Sequence, residues 1–192
     1  MVKVNWKGVY PALTTKFKDD DSLDLEQFKK HLEFQIQSGI DGAIIGGSLG
    51  EASTIKQNEI IELLVAAKEV AGDRIPILIN IAESNTKDAL QAVQNAEANG
   101  ADGLMLLPPM RYKADDHETV FYFQELADTT GLPIMIYNNP YDYKINVSID
   151  MFESLTLSPN IRAVKESSRD ITNITRMKNA FGDRFNILGG VD

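Results

Sequence analysis

An apolar stretch, IRAVKESS at positions 161–168, ends in a lysine and a glutamate, Lys165 and Glu166. Lysine is rarely buried without a specific reason. If the stretch is a β-strand, its alternating geometry places Ile161, Ala163 and Lys165 on one face. Lys165 is then either a solvated residue at a strand end or an amine held in a partly desolvated pocket. In such a pocket the neutral, nucleophilic form of the amine becomes accessible near neutral pH.

Two other segments contain groups that suit the same chemistry. GGSLGEAST, positions 46–54, combines glycines that let backbone N–H groups approach an anion with the Ser48 hydroxyl, a further donor. Its spacing matches neither a P-loop nor a dinucleotide fingerprint. YNNP, positions 137–140, begins with Tyr137. Taken singly, a glycine turn is typical of loops and a strand tyrosine is typical of packing.

The elements that must position these residues follow a β/α pattern. Seven short aliphatic runs recur along the chain: GVYPALT, GAIIGG, PILINI, GLMLLP, PIMIYN, IRAVK and FNILGG. Amphipathic segments with helical periodicity lie between them, and six helices are predicted. Nearly continuous apolar strands indicate a parallel sheet covered by helices. Repeats such as SGIDGAIIGG and NGADGLMLLP favour a TIM (β/α)8 barrel, with the last β/α part missing.

A barrel of this kind would bring the three segments together. Functional groups in parallel β/α folds lie at the carboxyl ends of the strands. A glycine turn, a tyrosine hydroxyl and a buried lysine at one barrel mouth would suit a Schiff-base site for a 2-oxo acid. The turn would hold the carboxylate, Lys165 would condense with the ketone, and Tyr137 would shuttle protons.

The composition limits the class of protein. The 192 residues are 43% hydrophobic, and we predict a single domain spanning positions 1–192. A net charge of −9, from 28 acidic and 19 basic residues, argues against partners such as nucleic acid or anionic membranes. Cysteine is absent, and the N-terminus lacks the apolar core of a signal peptide, so a cytoplasmic protein is expected. His31 and His117 have no second ligand at metal spacing, so no metal is expected.

The motifs together resemble the dihydrodipicolinate synthase and N-acetylneuraminate lyase family. The resemblance runs from Gly8 to Asp192 through GVYPALTTKF, GGSLGEAST, DRIPILI, PIMIYNNP, VKESS and GGVD, in the family's order. It implies an aldolase-type barrel in which Lys165 forms the Schiff base and Tyr137 is the proton-relay phenol. It further implies that the turn of Gly47, Ser48 and Leu49 binds the substrate carboxylate.

This sequence also departs from the synthase pattern. Leu49 stands where the synthase has a second threonine, and Met110 stands where it has a second relay tyrosine, with Tyr112 two residues further on. Asp142 occupies the position of the arginine that meets a distal carboxylate in the synthase. A negative charge there would repel a dicarboxylate, which argues against the lysine-pathway synthase reaction.

The resemblance therefore implies a lyase acting on a small 2-oxo acid or derivative, without cofactor, by aldol chemistry, dehydration or deaminating hydrolysis of, for example, a pyrroline-carboxylate. The alternatives are a non-catalytic keto-acid-binding member, an inactive fragment, or a synthase or N-acetylneuraminate lyase proper. A homo-oligomer is expected, because the family forms tetramers. The family's last strand and helices have no counterpart here, so a C-terminally truncated, poorly stable and weakly active chain is expected.

Overall fold

Parallel strands alternating with helices form the architecture. The structure is a computed structural model that describes residues 2–109 and 113–190. The strands are β1 (Ala43–Ile45), β2 (Ile77–Ile81), β3 (Gly103–Leu106), β4 (Ile134–Asn138), β5 (Ile161–Glu166) and β6 (Asn186–Gly189). The helices are α1 (Leu25–Gln37), α2 (Gln57–Ala71), α3 (Thr86–Ala98), α4 (Asp116–Asp128), α5 (Pro140–Tyr143), α6 (Ile149–Leu155) and α7 (Thr172–Phe181).

The six strands form one parallel sheet in the order β1-β2-β3-β4-β5-β6. Each neighbour in the sheet is also the next strand in the chain, and helices cover the outer face, which is the arrangement of an incomplete TIM barrel. The barrel-type α/β fold expected from the sequence is confirmed.

The strands are buried on both faces, and this produces two apolar clusters. The outer cluster lies between the sheet and the helices, with residues such as Phe28, Leu64 and Phe123 at its centre. The inner cluster fills the concave side of the sheet and contains Val4, Trp6, Ile44, Leu78, Met105, Leu107, Met135, Tyr137 and Ala163. Burial on both faces is the reason that these strands appear in the sequence as nearly continuous apolar runs.

The number of strands differs from the seven expected from the sequence. The first predicted strand, GVYPALT, pairs with β1 only through one bridge, between Ala12 and Ile44. Leu13 N–H donates to the Ile44 carbonyl and Ile44 N–H donates to the Pro11 carbonyl, both at 2.9 Å. Pro11 has no N–H to extend this ladder. A left-handed backbone at Gly8, with φ of +89°, turns the chain just before the segment.

The number of helices also differs, because seven α-helices rather than six lie in the described parts of the chain. The short α5 directly follows YNNP. Pro140 occupies its first turn, and the Asn139 side chain accepts from the Asp142 N–H at 3.2 Å. A proline at the first helical position after an asparagine cap favours one helical turn. Four residues are too few to show an apolar periodicity, so the periodicity of the sequence did not predict this helix.

Strand β5 contains an irregularity that corrects one sequence prediction. Ile134 pairs with Ile161, but the next residue, Met135, pairs with Ala163. The extra residue on β5, Arg162, is exposed. Ile161 consequently packs in the outer cluster, whereas Ala163 packs in the inner one. The prediction that Ile161 shares the face of Ala163 and Lys165 is wrong, because a bulge resets the alternation of side chains.

Glycines and prolines mark several boundaries between these elements. Gly39 and Gly100 follow helices with φ of +89° and +84°, in the left-handed region that favours glycine. Pro76 and Pro133 immediately precede β2 and β4, and the carbonyl of each accepts an N–H from the neighbouring strand at 3.0 Å. A missing N–H therefore costs the ladder nothing at these positions.

A buried carboxylate ties the N-terminal segment to the sheet. The Asp102 side chain has no exposed surface and pairs with the Lys68 ammonium at 2.6 Å. Its carboxylate also accepts from the Val2 N–H at 2.6 Å and from the Ile77 N–H at 2.9 Å. One side chain thus connects the chain start, α2, β2 and the beginning of β3.

We expect Asp102→Ala to lower the free energy of unfolding by about 3 kcal/mol, because it leaves a lysine and two backbone N–H groups without their acceptor. The matched control is Glu69→Ala, which breaks the Lys29–Glu69 pair, whose glutamate side chain is 67% exposed. That loss should stay within about 1 kcal/mol. Urea denaturation followed by circular dichroism measures both, and equal losses would contradict the structural role of Asp102.

Candidate active site

The carboxyl ends of β4 and β5 bring Tyr137 and Lys165 together. The two residues are direct partners in the register of these strands. The Lys165 ammonium nitrogen, Nζ, lies 4.1 Å from the centroid of the Tyr137 ring. Tyr137 is 9% exposed and belongs to the inner cluster with Met135 and Ala163, while Lys165 is half-buried. The expected common face of Ala163 and Lys165 is confirmed, and the lysine is not a fully solvated residue at a strand end.

The turn after β1 lies at the same end of the sheet. A single 3₁₀ turn, Ser48–Gly50, begins after Gly47 and exposes the Ser48 and Leu49 side chains. Gly46 has φ of +69°, and a Cβ there would lie 2.8 Å from the Ile60 side chain. The left-handed backbone at this position favours glycine, and a larger residue would also require the end of the Ile60 side chain to shift.

Ser48 contacts Tyr143, a residue on the β4 side of the site that the sequence analysis did not single out. Its hydroxyl oxygen lies 2.7 Å from the Tyr143 hydroxyl oxygen. The Tyr143 ring meets the Tyr137 ring edge-on, with centroids 5.5 Å apart and planes at 77°. The structure therefore joins Ser48, Tyr137 and Lys165 in one constellation, with Tyr143 between the first two. The available signal was a tyrosine one helical turn after the asparagines of YNNP.

The Tyr137 hydroxyl has a defined hydrogen-bond role. It accepts from the Asn139 side-chain N–H at 3.2 Å, so its own proton remains available to another acceptor. The Asn139 amide also donates to the Asp142 carboxylate at 2.6 Å. The Asn139 amide therefore links the Asp142 carboxylate to the Tyr137 hydroxyl.

The glutamate after the lysine holds the strand end from the outside. Glu166 is 7% exposed and accepts from the side-chain amides of Asn138 at 3.1 Å and Asn173 at 2.6 Å. It also accepts from the Ser168 N–H at 2.6 Å. The Asn138 side-chain oxygen in turn accepts from the Val147 N–H at 3.0 Å. These bonds fix the residues that follow Tyr137 and Lys165, and so they fix the two strand ends.

Gly190 lies directly beside the Lys165 side chain. A Cβ on Gly190 would lie 2.8 Å from Cγ and 2.9 Å from Cε of Lys165, and 2.1 Å from the Ser167 hydroxyl oxygen. The Gly190 N–H donates to the Glu166 carbonyl at 2.9 Å. The lack of a side chain at Gly190 therefore allows the backbone to lie directly against the lysine.

Two cavities open at this end of the sheet. One, of about 720 Å³, is lined by Lys165, Met135, Tyr10 and Leu49 among others. The other, of about 530 Å³, has Ser48 and Tyr143 in its wall. Leu49 is 72% exposed, and its apolar side chain has no hydrogen-bond donor. Its predicted contribution to carboxylate binding can only involve its backbone.

The remaining candidates have simpler environments. His31, on α1, contacts the Gln35 side chain at 2.7 Å, and burial lowers the pKa of His31. His117 is exposed on α4. Within residues 2–109 and 113–190, no group of three or more metal-ligating side chains occurs. Met110 and Tyr112, the two candidates for the position of the second relay tyrosine, lie outside the described residues. No helix in the described ranges combines the length and apolar character needed to cross a membrane.

The fold and the site define a parallel β/α-barrel protein with a lysine, two tyrosines and a glycine–serine turn at the carboxyl ends of its strands. The sequence model of the Dihydrodipicolinate synthetase family matches residues 5–192. The chain belongs to this family, as the motifs indicated.

Individual relatives agree with this assignment. A protein from Exiguobacterium sibiricum named 4-hydroxy-tetrahydrodipicolinate synthase is 34% identical over 187 residues, which cover 97% of this chain and 64% of that protein. A dihydrodipicolinate synthase from Bacillus anthracis superimposes with a TM-score of 0.94 at 26% identity, covering 100% of this chain and 65% of that chain. A prophage protein of the same family from E. coli, solved in complex with pyruvate, superimposes with a TM-score of 0.91 at 25% identity, covering 97% and 64%. The chain thus spans just under two thirds of the length of each.

Proposed function

We propose that this protein is a Schiff-base lyase for a small 2-oxo acid, with Lys165 as the amine that condenses with the substrate. The observation that carries the proposal is the placement of Lys165 Nζ 4.1 Å from the Tyr137 ring centroid, at the inner ends of adjacent strands. The family relative solved with pyruvate supports a 2-oxo acid as the ligand class. The reaction uses a covalent lysine imine and needs no further cofactor.

Lys165 would act in its neutral form. Its nitrogen attacks the ketone carbon, and the carbonyl oxygen takes a proton to give a carbinolamine. Proton loss from nitrogen and departure of the oxygen as water give the imine, which is then protonated. The C–H bond beside the iminium can now lose its proton to a base, or the C–C bond there can break and release a carbonyl fragment. The electron pair left behind forms a C=C bond to the iminium carbon while the C=N π pair moves to nitrogen, which gives an enamine. Tyr137, whose hydroxyl proton is not committed to Asn139, supplies and recovers the proton at the oxygen.

The turn after β1 would bind the carboxylate of the same substrate. Ser48 supplies a hydroxyl, and Gly47 and Leu49 supply backbone groups. The small residues of this loop allow a ligand to approach its backbone. A carboxylate held there would orient the adjacent ketone toward Lys165. Aldol cleavage or condensation, dehydration, and deaminating hydrolysis of a cyclic imine such as a pyrroline-carboxylate all begin from this arrangement.

A second candidate function is the 4-hydroxy-tetrahydrodipicolinate synthase reaction, which is favoured by the name of the Exiguobacterium relative. The exposed carboxylate of Asp142, at the position that the family resemblance assigns to an arginine of the synthase, would oppose a second substrate carboxylate. N-acetylneuraminate lyase activity would instead require recognition of a sugar. Turnover of pyruvate with aspartate semialdehyde, compared with neutral hydroxylated aldehydes, separates these reactions.

The assembly and location belong to the same proposal. A homo-oligomer acting in the cytoplasm on a small molecule fits the acidic chain and its family. Sedimentation velocity of the protein measures the assembly.

Borohydride reduction in the presence of pyruvate should attach one substrate-derived group to Lys165 and leave other lysines unmodified. Lys165→Arg should abolish the adduct while retaining positive charge, because guanidinium is not a nucleophile at neutral pH. Intact-mass and peptide mass spectrometry of the protein detect the product. The absence of any adduct across a panel of keto acids would rule out the Schiff-base proposal.

Gly190→Ala should reduce the rate of adduct formation by about tenfold or more, because the new methyl group overlaps the Lys165 side chain. Gly189→Ala is the matched control, since a Cβ at Gly189 has no atom within 4 Å. Timed borohydride trapping compares the two variants. Equal rates would show that Lys165 does not depend on the close approach of Gly190.

Tyr137→Phe should lower turnover by about 10² to 10⁴ while keto-acid binding stays within a few-fold, because it removes the proton-transfer group and retains the ring. This variant also tests the alternative that the protein binds a keto acid without turning it over. Turnover and equilibrium binding are measured on the same preparation. If neither changes, the non-catalytic binding function is favoured.

A further inference from the structure

The Ser48 hydroxyl has a partner from a distant part of the chain. Tyr143 lies 95 residues later in the sequence, yet the two hydroxyl oxygens are 2.7 Å apart. Ser48 is exposed on its one-turn helix and Tyr143 is half-buried beside the inner cluster. This contact joins the glycine–serine turn after β1 to the short helix after β4.

The backbone on both sides of Tyr143 fixes its position. Asn139 caps α5 at its start, and Lys144 ends it in a left-handed conformation with φ of +63°. The Lys144 N–H donates to the Pro140 carbonyl at 3.1 Å, which closes the turn. The Tyr143 ring rests edge-on against Tyr137. A phenylalanine could make this ring contact, so the hydroxyl requires a separate explanation.

The electrostatic environment keeps the Tyr143 phenol protonated. Burial is the main cause that raises the pKa of Tyr143, the hydrogen bond to Ser48 lowers it, and the nearby Tyr137 and Asp142 raise it. At neutral pH the phenol therefore has a proton to donate. If Tyr143 donates to the Ser48 oxygen, the Ser48 proton is free to point into the site.

We propose that Tyr143 is a positioning residue that donates its hydroxyl proton to Ser48 and thereby directs the Ser48 hydroxyl toward the substrate carboxylate. The inference rests on the proposed function and adds a specificity role to it. A hydroxyl that accepts one hydrogen bond is a stronger donor in the next, so the pair binds an anion better than Ser48 alone. Selection for a carboxylate beside the ketone then depends on Ser48 and Tyr143 acting as one unit.

The test measures the concentration of carbonyl compound that gives half-maximal borohydride-trapped adduct on Lys165. Pyruvate and methyl pyruvate are compared, because the ester retains the ketone and lacks the anionic charge. Tyr143→Phe should raise this concentration about 3- to 30-fold for pyruvate and leave it within about twofold for methyl pyruvate, since charged acceptors gain most from a directed donor. The maximal amount of adduct should not change.

Three further variants complete the experiment. Tyr141→Phe, the same chemical change at a 59% exposed site two residues away, should behave as the unmodified protein. Ser48→Ala should weaken pyruvate binding, and Ser48→Ala combined with Tyr143→Phe should be no weaker than Ser48→Ala alone. Ser48→Thr, which keeps the hydroxyl, should retain the response to Tyr143→Phe.

The outcomes separate this inference from the function on which it rests. Three results would each overturn the role of Tyr143 and leave the Schiff-base proposal standing. They are a fold-change in the double variant equal to the product of the two single fold-changes, equal losses for pyruvate and its ester, and no effect of Tyr143→Phe. If the unmodified protein forms no adduct with pyruvate and none with methyl pyruvate, both proposals are overturned.

Discussion

The parallel pairing of β4 with β5 is the constraint on which the site depends. It sets Tyr137 directly opposite Lys165. Two neighbouring strands in parallel register carry their side chains at the same height and on the same face, so a cation and an aromatic ring come into contact without a flexible loop. The carboxylate of Glu166, buried on the opposite face, holds both strand ends by its bonds to Asn138 and to the chain after the lysine.

The division of each strand between two clusters explains why the inner face can hold polar groups. The outer cluster contains most of the large aliphatic and aromatic side chains, which pack between the sheet and the helices. The inner cluster is smaller and includes Ala163 beside the lysine. Because the outer packing supplies most of the apolar burial, the inner face can accommodate an ammonium group, phenols and two cavities near one rim.

Contacts between distant segments complete the site. Gly190 brings the chain after β6 against Lys165, and Tyr143 brings the chain after β4 to Ser48. In both cases the chain uses small residues and single-turn elements at strand ends. Such elements can be rebuilt without disturbing the sheet, which is why parallel β/α folds place variable chemistry in these loops.

The sequence by itself determined the repeating β/α pattern, the barrel-type fold, and the placement of Tyr137 and Lys165 at the carboxyl ends of their strands. Each follows from local periodicity or from the backbone preferences of single residues. Only the tertiary structure decided that Ile161 faces outward, that the first segment pairs through one bridge, and that Tyr143 meets Ser48. A bulge depends on how two strands pair, and strand length depends on which backbone groups find partners. A contact across 95 residues depends on how the sheet brings the ends of β1 and β4 together. None of these is encoded in the spacing of residues along one segment.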